Sequence, residues 1–544
     1  MVFPAVKHEN TKGVFSFDDE IKVCAGVVSP FLPVYIKNVF GEIFTDGNLF
    51  LSAEKDGTYE NAEAYSLFSE AKNKSLYIKI TAADEKGFVR ALFTVKRMLI
   101  KNEFAIGSIY DYPSFPVRGY IEGFYGKPWK SEERIEMMEL MALFGENTHY
   151  YAPKDDPYHR NKWRELYPEK DAIPLKKLLD KATGLCIDFY YCIAPGLSMQ
   201  YSSQEDFSSL CNKTLQLYNM GIRNFGLLLD DIPADLFFRE DKEIFGDAIS
   251  AHISLVNKYY SFLCSLEGNV KLTICPTAYH GKGEEKELVD LVRCIPADVS
   301  VFYTGSDICS KELTVREAKT FFDNTSHKPL YWDNYPVNDA EMFMEMHIGP
   351  VTGREKGLCD YSEGIISNCM EYFNCNKIPL ITVASYLWNP GEYDPEKAFR
   401  EAVSFLFSGD ETEDFILLSD HFRTSCLNIE NSRIMGEWLS RAAVFFQTGD
   451  FVSAVGTVEE YTRMVSLAAQ RILLRDAPIY KELSRWIRKF ILMKDILVLS
   501  LKVLKGEEEK RSLEKLMDEY NESATVLTSF CFREYIESVL YNED

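Results

Sequence analysis

Asn224-Phe-Gly-Leu-Leu-Leu-Asp-Asp-Ile-Pro233 is a short apolar run that stops abruptly at two carboxylates and a proline. It is too short for a helix with a buried face and reads as a strand buried on both sides. From Val117 onward, runs of this kind recur. They are Arg118–Phe124, Thr148–Ala152, Ile187–Ala194, Asn224–Leu229, Lys271–Cys275, Val299–Tyr303, Pro329–Trp332 and Gly364–Ile366. Each ends in polar, Gly or Pro residues, and helical stretches lie between them. Eight strand–helix units over about half the chain predict a (β/α)8 TIM barrel, an α/β fold. A doubly wound open sheet is the alternative, but no GxGxxG or Walker A sequence follows the first strand.

Working outward, residues 1–112 read as a small N-terminal α/β domain. Leu76–Ile80 alternates as a strand does. Asp84 then caps a helix whose apolar face is Phe88, Ala91, Leu92, Val95 and Leu99. Asp111-Tyr-Pro-Ser-Phe-Pro116 closes that domain, and the barrel is expected over 113–400. Beyond it strand signals vanish. Helical periodicity over Ile434–Phe446, Phe451–Leu474, Lys481–Leu504 and Leu513–Leu540, the last broken near Asn521, predicts a C-terminal helical bundle over 401–544. Those helices offer a surface for the barrel, for a homodimer or for a protein substrate.

The chain has 544 residues, with 60 Lys and Arg against 83 Asp and Glu, for a net charge of −23. That balance argues against nucleic acid and anionic membranes as default partners. The start, Met-Val-Phe-Pro-Ala-Val-Lys-His-Glu-Asn, has no basic segment followed by an apolar run, so no signal peptide is visible; the expectation is a cytoplasmic protein, with a secreted protein whose leader has been removed as the alternative. The 13 cysteines include no CxxC pair and no Cys/His cluster with zinc-like spacing; they read as buried thiols in a reducing compartment.

In such a barrel the active site lies where the strands exit at their C-terminal ends. The exits here are Glu122-Gly-Phe-Tyr-Gly-Lys-Pro-Trp129, Ala152-Pro-Lys-Asp-Asp-Pro-Tyr-His-Arg160, Ala194-Pro-Gly196, Leu227-Leu-Leu-Asp-Asp-Ile-Pro233, Cys275-Pro-Thr-Ala-Tyr279, Tyr303-Thr-Gly305, Tyr331-Trp-Asp-Asn334 with Asn338-Asp339, and Ser367-Asn368. Amides and carboxylates suit sugar hydroxyls, and aromatics suit the ring.

Two Asp pairs compete for the chemistry. Asp230-Asp231 ends a wholly apolar strand, where desolvation and a like-charged neighbour raise a carboxyl pKa toward what a general acid needs. Asp155-Asp156 sits beside Lys154 and Arg160, better placed to hold a loop. No third acidic ligand adjoins Asp230-Asp231, so neither metal nor cofactor is expected. Adjacent strand residues point to opposite sides unless the strand end bends. They would not straddle a sugar as acid and nucleophile, which in retaining glycosidases stand about 5–5.5 Å apart. They could both serve a 2-acetamido sugar whose own carbonyl oxygen is the nucleophile. His149, His159 and His280 are given no role, and His159 reads as structural.

Arg118-Gly-Tyr-Ile-Glu-Gly-Phe-Tyr-Gly-Lys-Pro-Trp129 together with Tyr151-Ala-Pro-Lys-Asp-Asp-Pro-Tyr-His-Arg160 resembles glycoside hydrolase family 84. That family holds protein O-GlcNAcases and bacterial β-N-acetylglucosaminidases. Asp230-Asp231, Trp332-Asp-Asn334, Asn338-Asp339 and Asn368 recur in its order. The resemblance implies a retaining exo-β-N-acetylglucosaminidase that works through the substrate's acetamido group and an oxazoline. Asp230 would orient that group, and Asp231 would be general acid and then base. Gly123, Lys154, Asn334, Asp339 and Asn368 would hold hydroxyls, and Tyr279 would bond near the acetamide. Tyr125, Thr304 and Trp332 would line the acetyl pocket. The implied partners are β-linked N-acetylglucosamine glycans or O-GlcNAc-modified proteins. Ala278 stands where an acid is common and Cys369 where a proline is. An endo-acting hyaluronan- or chitin-type glycosidase and a catalytically silent sugar-binding homologue are the alternatives.

Overall fold

The computed structural model describes residues 2–25, 32–428, 431–528 and 530–541. Its chain divides into two compact units, the first comprising residues 1–334, 353–369 and 380–394, the second residues 335–352, 370–379 and 395–544.

The first unit opens with a mixed sheet of β1 (His8–Phe15), β2 (Val23–Ala25), β3 (Leu49–Lys55), β4 (Tyr65–Lys72), β5 (Ser75–Ala82) and β6 (Phe104–Asp111), ordered β1-β6-β4-β5-β3-β2. The helix Glu85–Lys101 starts at Asp84, whose carboxylate accepts from the Lys86 and Gly87 amides at 2.8 and 3.3 Å. Such a cap satisfies two of the donors a helix start leaves free. Phe88, Ala91, Leu92 and Val95 are buried. Glu63 binds Arg90 on this helix and Arg118 in the first barrel strand, each at 2.7 Å. Burial alone would raise the Glu63 carboxyl, but the two guanidiniums outweigh it and hold it at about 2. The Trp388 indole N–H donates to Asp111 at 2.9 Å, a second tie between sheet and barrel.

The barrel strands are β7 (Val117–Ile121), β8 (Thr148–Tyr151), β9 (Asp188–Ile193), β10 (Asn224–Leu228), β11 (Lys271–Cys275), β12 (Ser300–Tyr303), β13 (Pro329–Asp333) and β14 (Gly364–Asn368). They are parallel and closed, with β14 returning to β7 from Gly364 opposite Val117 to Asn368 opposite Ile121. This is the (β/α)8 TIM barrel that the eight apolar runs predict. Its interior is filled by Ile121, Tyr150, Ala152, Tyr190, Cys192, Leu228, Cys275, Phe302, Leu330, Trp332 and Ile366. Tyr150 stacks on Tyr190 with ring centres 4.2 Å apart, and its hydroxyl meets that of Thr273 at 2.9 Å. A buried tyrosine at the barrel axis thus keeps its polar end satisfied.

The second unit contains the helices Arg433–Gln447, Phe451–Leu473, Ser484–Leu504, Lys510–Glu522 and Phe530–Tyr541. Val458, Tyr461, Val465, Trp486, Phe490, Met493 and Leu497 are buried within it. Among the described residues no helix is long and apolar enough to cross a membrane.

Candidate active site

Side chains along a strand alternate between faces. In six barrel strands the inward series runs two residues beyond a core side chain and there meets a residue named from the sequence. Ile121 leads to Gly123, Ala152 to Lys154, Leu228 to Asp230, Phe302 to Thr304, Trp332 to Asn334 and Ile366 to Asn368. The buried core of the barrel and the polar floor of its mouth are therefore one continuous pattern.

Asp231 has the wrong parity to join them. Its backbone supplies the correction: φ is 51°, the left-handed region that residues other than Gly, Asn and Asp rarely enter. The strand bends after Asp230, and the Asp231 carboxylate accepts a hydrogen bond from the Tyr125 hydroxyl at 2.8 Å. Arg160 Nη1 donates to the same hydroxyl oxygen at 3.1 Å, and Lys154 Nζ lies 4.8 Å from the Tyr125 ring centre. The exits of β7, β8 and β10 are thereby joined around one phenol. Burial raises the Asp230 carboxyl above the usual range; the Lys154 cation opposes this and the Asp231 charge adds to it. Tyr279 is half-buried, packs against the barrel core, and has its phenol pushed up by burial and then by the charges of Asp231 and Asp230 among others.

On the other side of the mouth, Asn334 Oδ1 accepts from Trp332 Nε1 at 3.0 Å and from Asn368 Nδ2 at 2.9 Å. Asn334 Nδ2 donates to the Ile308 carbonyl at 2.7 Å. Asn368 Oδ1 is buried and has no partner among the described residues, an acceptor available to a sugar hydroxyl. Gly123 sits against this cluster. A Cβ there would lie 2.6 Å from Trp332 Cζ2 and 2.9 Å from Asn368 Oδ1, so only glycine lets the backbone come this close. Thr304 is buried and its hydroxyl is taken by the Asp307 carbonyl at 2.7 Å, so it offers the site a wall more than a donor. Asp339 belongs to the second unit, where it immediately precedes the short 3-10 helix Ala340–Met342.

The competing pair holds a loop. Asp156 is buried and accepts from the hydroxyls of Tyr151 (3.0 Å) and Tyr167 and from the Tyr158 amide (2.8 Å). Asp155 is exposed, 3.8 Å from Arg134. His159 bonds the Cys192 carbonyl at 2.7 Å, and burial depresses its imidazole to about 3. Cys369, where the resemblance leads one to expect a proline, donates its N–H to the Ile121 carbonyl at 3.2 Å, a bond a proline could not make. The sequence reading missed Arg160 as a partner of Tyr125 and the Ile308 carbonyl as the anchor of Asn334. It also missed Arg354, whose Nε reaches Asp333 at 2.8 Å just below Asn334. Only Arg160 carried a signal, its place in the β8 exit.

A family model described as beta-N-acetylglucosaminidase matches residues 118–420. Over 274 residues the chain is 32% identical to the protein O-GlcNAcases of Rattus norvegicus and Mus musculus, a match that covers 49% of this chain and 29% of each of those proteins. A solved structure of a mutant Thermobaculum terrenum O-GlcNAc hydrolase is 30% identical, covering 78% of this chain and 95% of that one, with a TM-score of 0.74. The structure of CpGH84B, 23% identical, matches in fold over 99% of this chain and 100% of its own, with a TM-score of 0.85. With the family model spanning more than half of its length, the chain belongs to the β-N-acetylglucosaminidases of glycoside hydrolase family 84.

Proposed function

We propose that this protein is a retaining exo-β-N-acetylglucosaminidase that uses the 2-acetamido group of its substrate as the nucleophile. The observation that carries the reading is the Asp230-Asp231 arrangement. The two carboxylates are consecutive, the chain turns left-handed at the second, and Tyr125 holds that second carboxylate at the mouth. Consecutive residues serve one side of a reaction better than they flank a sugar, and hexosaminidases of this type dispense with an enzyme nucleophile.

In the first step Asp230 accepts the acetamide N–H and aims the carbonyl oxygen at the anomeric carbon. That oxygen forms the new bond as the glycosidic C–O bond breaks. Asp231 delivers its proton to the departing oxygen. Transfer of the amide proton to Asp230 leaves a neutral oxazoline. In the second step Asp231 takes a proton from water, and the water oxygen attacks the anomeric carbon from the face the aglycone left. The ring opens, Asp230 returns its proton to nitrogen, and the β configuration is retained. Gly123, Lys154, Asn334 and Asn368 hold hydroxyls of the terminal sugar, while Tyr125, Thr304 and Trp332 enclose the acetyl group. No step calls for a metal or cofactor. The relatives named as O-GlcNAc hydrolases support a Ser- or Thr-linked N-acetylglucosamine on a protein as the substrate.

The test is turnover of an aryl β-N-acetylglucosaminide with and without a thiazoline mimic of the cyclised intermediate. Turnover that the thiazoline suppresses is the expected result. Turnover indifferent to it removes substrate assistance, and sugar binding without turnover makes the chain a silent homologue.

A further inference from the structure

Glu122 lies inside the most distinctive motif of the chain, yet the proposed reaction gives it no task. It follows Ile121, the last residue of β7, and precedes Gly123. By strand parity it points away from the barrel axis, and it is 1% exposed. Its carboxylate meets Arg134, in the helix Ser131–Leu143, along two edges: Nε to Oε2 at 2.6 Å and Nη2 to Oε1 at 2.7 Å. Oε1 also accepts from the Trp129 amide at 3.3 Å. One carboxylate therefore grips the loop 123–130 at both ends, where it leaves β7 and where it enters the helix. The Glu122 amide faces the Tyr150 carbonyl of β8 at 3.4 Å. Arg134 lies 5.4 Å from the Tyr151 ring centre and 3.8 Å from Asp155, so the grip extends to the exit that carries Lys154.

What this loop carries is Tyr125. That residue is half exposed; Arg160 and Lys154 meet its phenol from the β8 exit, while its backbone, and with it the reach of its hydroxyl to Asp231, is set by the loop. We propose that Glu122 and Arg134 are positioning residues for the hydrolysis, their buried two-edged ion pair holding the loop so that Tyr125 stays on Asp231. A fork-to-fork pair fixes direction as well as distance, which a lysine in place of Arg134 would not. The inference rests on Asp231 being the acid and base of the proposed mechanism.

The test is a double-mutant cycle on kcat between Glu122→Gln and Tyr125→Phe, with Arg134→Lys and Arg134→Met as a second series. Wild-type turnover that the thiazoline suppresses establishes the underlying reading first, so its failure is seen separately. In the wild-type background Glu122→Gln should lower kcat about 10- to 100-fold, the scale of a displacement of about 1 Å in a reacting group, with KM changed far less. The loss should be largest for poor leaving groups. In the Tyr125→Phe background the same substitution should cost less than about threefold, because coupled residues are not additive. Arg134→Lys should retain more kcat than Arg134→Met. Equal losses from Glu122→Gln in both backgrounds, or losses that only follow the folded fraction at the assay temperature, would overturn the proposal. If Glu122→Gln does not fold, the Arg134 series crossed with Tyr125→Phe decides the matter by the same criterion.

Discussion

The Tyr125 hydroxyl donates to Asp231 Oδ2 across 2.8 Å, joining residues 106 positions apart in the chain. A half-exposed hydrogen bond adds little to folding, but it fixes where the Asp231 carboxyl group lies, and a reacting group displaced by about 1 Å can cost about 10²-fold in rate. Tyr125→Phe should therefore lower kcat by roughly tenfold or more while leaving the melting temperature nearly unchanged, because Tyr125 is half exposed. Steady-state kinetics beside a thermal melt check both halves. An unchanged kcat would show that the phenol does not hold the acid.

The two aspartates should separate by leaving group. Asp231→Asn should lose about 10²- to 10⁴-fold on a substrate with a poor leaving group and far less on an activated aryl glycoside, where protonation is dispensable. Asp230→Asn should slow both, because cyclisation precedes departure in either case. A series of aryl glycosides of graded acidity gives the slopes, and equal losses for all of them in Asp231→Asn would cancel its assignment.

Lys154 sets a pH limb. Its cation works against the burial that raises Asp230. In the proposed mechanism Asp230 must be ionised to receive the acetamide N–H, so activity falls as pH drops through its pKa. Removing the cation in Lys154→Met raises that pKa further and should move the acid limb of kcat/KM to higher pH. The limb's position, and not the size of the rate loss, is the measurement. A shift toward lower pH would contradict the placement of this charge.

Gly123→Ala should act on binding. The new Cβ has to displace the Trp332 ring or the Asn368 amide, which overpacking places at about 1–3 kcal/mol. Because Asn368 supplies a free acceptor, KM or the thiazoline Ki should rise more than kcat falls. Isothermal titration with the thiazoline reports it directly, and unchanged affinity would remove Gly123 from the sugar site.

Glu146 predicts a stability effect away from the chemistry. Both its oxygens are buried without partners among the described residues, and burial pushes the carboxyl up to about 8 against the opposing pull of Arg118. Tyr120 and Cys369 face the same charge. The folded state thus holds a proton that the unfolded chain gives up near 4.5. The contribution is full below that value and declines as pH rises toward 8. Glu146→Gln should flatten this decline and raise the melting temperature most above pH 8, by an amount corresponding to roughly 2–4 kcal/mol. Melts across pH 5 to 9 for both proteins test it; parallel curves would rule it out.

Most of the barrel and much of its site were legible in the residues. Strands buried on both faces read as apolar runs, and the polar residue that ends each run lies at the mouth because side-chain parity carries past the last core residue. Asp230 was found as the polar end of an apolar run; Lys154, Asn334 and Asn368 stand in strand exits and took their roles from the family resemblance, and the local period of two explains why all four lie at the mouth. Asp231 was readable as an acid but not in its direction. The left-handed turn that swings it back is one backbone angle, stabilised by a phenol from another strand exit.

The grip of Glu122 on Arg134, the double acceptance by Asn334 and the close approach of Gly123 to Trp332 left no periodic signature. Each joins groups whose separation along the chain is arbitrary until the barrel closes. Composition, strand period and motif order follow from each residue's own chemistry and its near neighbours, so sequence suffices for them. Which carboxylate faces which hydroxyl depends on the register in which β14 meets β7 and on the packing of the loops above it, and that register exists only in the folded barrel.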